Sequence, residues 1–145
     1  MLIIMVSLSA VLNALMAGVY GAFSVVVMPS LTRIPPEQGA GAMQQINRDI
    51  LRSAFMLLFW GSSLLSLAMV FIGHSTAVVL AGSIYLVGML VVTALRNVPL
   101  NERLERATGD TLVSEWQHYL VKWTFWNHVR AMSALVSAIL LLTSA

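Results

Sequence analysis

Cysteine is absent from this chain, and charge is scarce: only 10% of the 145 residues are Asp, Glu, Lys or Arg. The missing cysteines exclude disulfides, thiolate nucleophiles, iron–sulfur clusters and thiolate zinc sites. The missing charge excludes an ordinary soluble domain, which carries roughly 25% charged residues. No charged side chain occurs from Met1 to Thr32. That stretch is too long for a signal-peptide core and has no basic start, so it reads as a retained spanning helix. A net charge of +2 with scattered basic residues offers no nucleic-acid footprint.

What is present is apolar. Hydrophobic residues make up 59% of the chain and the mean hydropathy is +0.85. A membrane-spanning helix needs about 20 apolar residues. Residues 4–28 supply one span, closed by Pro29, and residues 53–73 a second. Residues 75–95 supply a third after a short turn, and the fourth lies within 123–144. The expected fold is an all-α membrane protein, a single four-transmembrane-helix bundle over 1–145. Small residues recur every four positions: Ala10, Ala14, Gly18 and Ala22 on the first span, Ser62 and Ser66 on the second, Ala77 and Ala81 on the third, Ala134 and Ala138 on the fourth. Such stripes let helices approach closely in lipid. They predict packing within the bundle, with a homo-oligomer face as the alternative.

All eight Lys and Arg fall around the first and third loops, from Arg33 to Arg52 and from Arg96 to Arg130. The positive-inside rule then places those loops in the cytoplasm and both termini on the non-cytoplasmic side of the cell (inner) membrane. A periplasmic phosphatase fused at the C-terminus should therefore be active. An inactive phosphatase fusion together with a fluorescent cytoplasmic-type fusion would reverse this topology.

The loops carry helix signals of their own. Pro35 and Pro36 suit a helix start, and that helix is expected to run through Asn47 and Arg52 into the second span. Asn97 with Pro99 reads as another start, Glu102 and Arg106 as an i,i+4 pair, Gly109 as a stop, and Asp110 as the cap of the last helix.

The last helix opens with "WTFWNHVR" (123–130), which is rich in polar groups for the mouth of a span. The 15 residues from Ala131 onward reach about 22 Å at 1.5 Å each, against a hydrocarbon core about 30 Å thick. Asn127, His128 and Arg130 are thereby placed up to roughly 8 Å inside the membrane. Arg130 has two readings at that depth, snorkelling back to the headgroups or facing the bundle interior as part of a site. Trp123 and Trp126 can likewise be interface anchors. Trp116, Tyr119, Trp123, Asn127, Arg130 and Ala134 follow one another at steps of three or four, so they share a face. His128 is turned by about 100° from Asn127. Asn47, Arg52, Asn97 and Asn101 reach the same depth from other helices. Asn13, deep in the first span, suits an interhelical hydrogen bond. The spans hold no Asp or Glu, against a proton-coupled exporter, and the three His are too scattered for a metal or bis-histidine haem site.

Four stretches in order, "VVMPSL" (26–31), "MQQIN" (43–47), "NVPLNERL" (97–104) and "WTFWNHVR" (123–130), resemble the anthrone oxygenase-like family of small four-span membrane proteins. The resemblance implies oxidation of an anthrone-like polycyclic phenol or quinol by O2, with no cofactor and no metal. The partners it implies are a small aromatic or quinone-like substrate, O2 and the bilayer. In that scheme His128, Asn127 and Arg130 are the catalytic candidates: base, oxyanion donor and anion stabiliser. Trp123, Trp126, Asn97, Asn101, Asn47 and Arg52 are the substrate-binding ones. The competing readings are a non-enzymatic binding or accessory protein that holds a lipid or quinone in the same mouth, and a transporter.

Overall fold

A computed structural model of the chain describes residues 1–144. Four helices are long and apolar enough to cross a membrane: α1 (Leu2–Leu31), α3 (Phe55–Ile72), α4 (Thr76–Arg106) and α5 (Gly109–Leu142). A shorter helix, α2 (Pro36–Ile50), connects α1 to α3. The described residues contain no strand. The chain is a helical membrane bundle, as the hydropathy pattern predicts.

Both ends of the chain meet at one end of this bundle, where Val6 and Ala10 pack with Met69, Val78 and Leu141. The opposite end is held by α2 and the extensions of α4 and α5, where Met28, Met43 and Leu104 bury Trp116, Tyr119 and Trp123. Between them a polar belt ties the spans together. The Asn13 amide donates to Ser66 Oγ at 3.2 Å and Ser137 Oγ at 3.0 Å, and Ser137 donates to the Ala81 carbonyl at 2.8 Å. The expected interhelical role of Asn13 is thus met.

Two prolines read as boundaries in the sequence, and neither is one. The helix of α1 runs through Pro29, and that of α4 runs through Pro99. Each proline follows a π-helical turn, Phe23–Val27 in α1 and Thr93–Asn97 in α4. Proline has no N–H and its ring crowds the carbonyl four residues back. That carbonyl belongs to Val25 or Leu95, inside the wider turn, so the helix absorbs the proline rather than stopping. Two further expectations change for local reasons. The helix α2 stops at Ile50 instead of running into α3, with residues 51–54 forming a turn. The cap of α5 is Thr108, whose side chain and backbone exchange bonds with Thr111, so Asp110 is not needed there. Arg103 pairs with Glu115 at 2.8 Å and Arg48 with Glu105 at 2.7 Å. These are the ion pairs among the described residues, and Glu102–Arg106 is not one of them.

The small-residue stripes divide. Ala81, Ala134 and Ala138 are buried as expected, but Ala14, Gly18 and Ala22 face outward. Close approach occurs at Gly82 instead, where a Cβ would strike the Ser66 carbonyl of α3. Gly82→Ala should therefore cost about 1–3 kcal/mol, since neither backbone can yield easily. Gly18→Ala, with open space around the new methyl, should instead stabilise its helix by roughly 0.5–1 kcal/mol. Thermal unfolding of the two variants in one detergent checks the opposite signs.

Candidate functional site

Arg130 is the centre of the site. It lies on the inner face of α5 and is 5% exposed. Its Nη2 donates to Asn127 Oδ1 at 2.7 Å, and its Nη1 donates to Thr93 Oγ1 on α4 at 3.3 Å. The guanidinium lies 4.2 Å from the centre of the Tyr20 ring on α1 and 5.2 Å from that of Trp123. Among the described residues no carboxylate pairs with it. Moving an ion of this size out of water costs several kcal/mol after relaxation. Two hydrogen bonds and two aromatic faces, worth about 2 kcal/mol or more when desolvated, offset part of that cost and leave the positive charge in place.

Asn127 fixes the arginine. Its amide nitrogen donates to the Tyr20 carbonyl and to Ser24 Oγ, both at 2.7 Å, while its oxygen accepts from Arg130. Both partners belong to the stretch of α1 at its π-helical turn, and π-turns often mark functional positions. The side chain of Asn127 is therefore saturated. It positions Arg130 and has no donor left for a substrate oxyanion, which corrects the role expected for it.

Beside Arg130 a chamber of about 310 Å³ opens within the bundle. Apolar side chains from all five helices form most of its wall, with Phe23, Met43, Phe55, Leu90 and Trp123 among them. The polar groups are few: Arg130 and Thr93 at one level, Asn47 and Asn101 at another. Thr93 and Asn101 are eight residues apart on α4, or about 12 Å along its axis. At the second level the Tyr119 hydroxyl donates to Asn101 Oδ1 at 2.8 Å and accepts from Asn47 Nδ2 at 3.5 Å. Tyr119 is itself stacked between Trp116 and Trp123, with ring centres 5.8 and 5.5 Å away.

The chamber gathers Arg130, Trp123, Asn101 and Asn47 from the expected set. Asn97 is buried just behind the wall, donating to the Trp123 carbonyl at 3.3 Å. Asn127 holds Arg130 from outside the lining, and the remaining three lie elsewhere. Arg52 is exposed in the turn before α3. Trp126 lies under the Arg96 guanidinium, 4.9 Å from it, in keeping with an interface anchor. His128 is exposed on the outer side of α5, beside a groove lined by Gly18, Gly21 and Ser24. The cause is the 100° step: with Asn127 and Arg130 turned inward, His128 must turn out. As base to a substrate held on Arg130, it is misplaced. No Asp, Glu or His lines the chamber, and among the described residues no three His, Asp or Glu gather as metal ligands.

Sequence reasoning overlooked Tyr20, Thr93 and Ser24. Tyr20 had a signal, being the one ionisable side chain between Leu2 and Leu31. Thr93 and Ser24 had none, because hydroxyls are common in spans and only packing shows what they face. Among the described residues three buried polar atoms around the site have no hydrogen-bond partner: Arg130 Nε, Trp123 Nε1 and Asn97 Oδ1. Buried polar groups are almost always satisfied, so these atoms are left for water or a ligand to satisfy.

No curated protein and no solved structure matches the chain. The sequence profile described as anthrone oxygenase matches residues 43–140. That interval holds Asn47, Thr93, Asn101, Trp123, Asn127 and Arg130, leaving Tyr20 and Ser24 outside. With about two thirds of its length matched in this way, the chain belongs to the anthrone oxygenase family.

Proposed function

We propose that this protein is a cofactor-independent oxygenase that oxidises an anthrone-like polycyclic phenol or quinol with O2 inside the membrane. The observation that carries the reading is the buried guanidinium of Arg130, without a carboxylate partner, in the wall of an apolar chamber. Such a charge favours an anion that arrives as part of a ligand. A flat aromatic ring system suits the walls, and its oxygens suit Arg130 at one level and Asn47 or Asn101 at the other.

The chemistry begins with an acidic C–H between two aromatic rings. A unit charge about 4 Å away is worth about 4 kcal/mol at an effective dielectric of 20, which makes the substrate about a thousandfold more acidic. Arg130 thus acts on the ionisation of the substrate itself. The proton passes to water at the loop end of the chamber, where Asn47 and Asn101 are only half-buried. The carbanion gives one electron to O2, and the radical pair recombines and takes up a proton to form a hydroperoxide at that carbon. Loss of water then leaves a carbonyl, so that the ring methylene and one O2 become a ketone and one water. Arg130 faces negative charge at each of these stages, first on the carbanion and then on superoxide.

His128→Ala should change the rate by less than about threefold on this reading, well short of the 10²–10⁴ expected for loss of a general base. O2 uptake and quinone absorbance with emodin anthrone, using protein purified free of metal, test the whole proposal. If no O2 is consumed under these conditions the oxygenase reading fails. One observation favours a second reading, a carrier that only binds the aromatic ligand: no carboxylate or imidazole lines the chamber to take a proton. Binding of the same anthrone without O2 uptake would select it.

A further inference from the structure

The mouth of the chamber has a chemistry of its own. Helices α3 and α4 are in close contact where Gly82 meets Ser66. Toward the opposite end, Phe55 and Phe59 of α3 and Leu90 and Ala94 of α4 line the same cavity. The two helices thus form a wedge. Four of the lining residues are exposed on the outer surface: Leu51 and Trp60 on one side of the wedge, Ala94 and Val98 on the other. Leu51 is 66% exposed, Trp60 52% and Val98 40%. All four are apolar. The surface around them continues with Leu57 and Leu64 exposed on α3 and Leu95 on α4, and the exposed charges Arg52 and Arg96 follow at the loop side. A polar ligand from water would cross such a rim at a cost, whereas a ligand dissolved in the bilayer meets no barrier there.

Volume adds a second constraint. At about 310 Å³ the chamber lies at the small end of ligand pockets, which span roughly 300–1,000 Å³. It holds a head of two or three fused rings and has little space for a chain as well. The polar groups that receive the head line the interior and the loop end, where Asn47 and Asn101 are half-buried, and the four fully exposed lining residues are apolar.

We infer that the chamber is loaded sideways from the bilayer through the α3–α4 wedge, and that its ligand is an acidic polycyclic phenol bearing an alkyl tail. The head reaches Arg130, and the tail stays between Trp60 and Ala94 and continues into lipid. This rests on the proposed function for the nature of the head, but the route and the tail stand on the rim alone. It explains why the chamber opens between α3 and α4 onto apolar residues, while its half-buried polar groups, Asn47 and Asn101, lie at the loop end. It also gives the exposed Trp60 a task, since an indole at the lipid surface offers an apolar face to a passing chain.

The test uses the full chain in lipid nanodiscs and the probe 6-dodecyl-2-naphthol with a diazirine on the third carbon of its tail, where the chain crosses the rim. Irradiation should label peptides containing residues 51–60 and 90–98. Label confined to 125–135 or to the 73–75 turn, or no label at all, overturns the inference. Association of the untagged dodecyl naphthol, followed by energy transfer from tryptophan, should slow about tenfold or more in Ala94→Trp, as expected for an obstructed approach. Gly18→Trp, on the other outer groove, should leave it unchanged. Equal rates in Ala94→Trp and the wild type also overturn the portal. If Ala94→Trp fails to fold, the labelling map of the wild type decides alone. O2 uptake is scored separately: a correctly labelled rim without oxidation removes the oxygenase reading and keeps the portal, while oxidation with label elsewhere does the reverse.

Discussion

Arg130→Met is expected to lower turnover about 10²–10³-fold, the usual loss when one donor to a developing oxyanion is removed, while the bundle becomes no less stable. The two parts have one cause. The guanidinium is buried among α1, α4 and α5 with two hydrogen bonds, two aromatic faces and no carboxylate. Replacing buried ionic groups by apolar ones of similar volume is often neutral, or stabilising by about 1–4 kcal/mol. Methionine fills much of the same space and has no charge to desolvate. A structural arginine would behave in the opposite way, with lost stability and lost activity falling together. Arg130→Lys separates charge from shape. A single ammonium keeps the charge but not the planar fork that reaches Asn127 and Thr93 at once. It should recover part of the rate and little of the geometry. Thermal unfolding, together with anthrone-dependent O2 uptake, reads both quantities. A Met variant that keeps full activity removes Arg130 from the mechanism, and one that unfolds shows its role to be structural.

Much of this centre was legible in the residue order. The face Trp116, Tyr119, Trp123, Asn127, Arg130 and Ala134 followed from steps of three and four, and all six side chains are buried. What the order concealed were relations between helices. Tyr20 and Ser24 meet Asn127 across more than a hundred residues of chain, and no periodicity within α1 announces that. The prolines misled because their sequence meaning is local: a proline ends an ideal α-helix, whereas a π-helical turn before it lets the helix continue. His128 misled by proximity. It has the right chemistry for a base, but one residue of rotation is enough to exchange the interior for the outer surface. Arg52 shows the same limit, since the helix assumed to carry it inward ends two residues earlier, at Ile50. The small-residue stripe of α1 failed because its period of four drifts around a 3.6-residue helix, so Ala10 is inside while Ala14 and Gly18 are not.

The arrangement around Asn127 leads to the last expected result, which is opposite in sign to the first. Asn127→Leu should destabilise the protein by about 2–3 kcal/mol. Polar bonds between membrane helices are worth about 0.6 kcal/mol on average and up to about 1.7. The residue makes two of these, to Tyr20 and Ser24, and a third bond within α5 to the Arg130 cation. The larger part of the loss comes from Arg130. Without the Asn127 oxygen it retains one hydrogen bond, to Thr93, and a buried charge left short of partners carries a penalty beyond that of the bond itself. Removing that charge should remove the penalty. The double variant Asn127→Leu/Arg130→Met is therefore expected to be more stable than Asn127→Leu alone, with a coupling energy within the 0.5–3 kcal/mol typical of residues in direct contact. Additive effects would mean that Asn127 serves only to bind α5 to α1. Activity offers an independent check on the same pair. Asn127 touches the arginine and does not line the chamber, so its loss should act through a displaced guanidinium. The rate should fall in Asn127→Leu, and in the double variant it should fall no further than in Arg130→Met alone, because a positioning residue has nothing left to position.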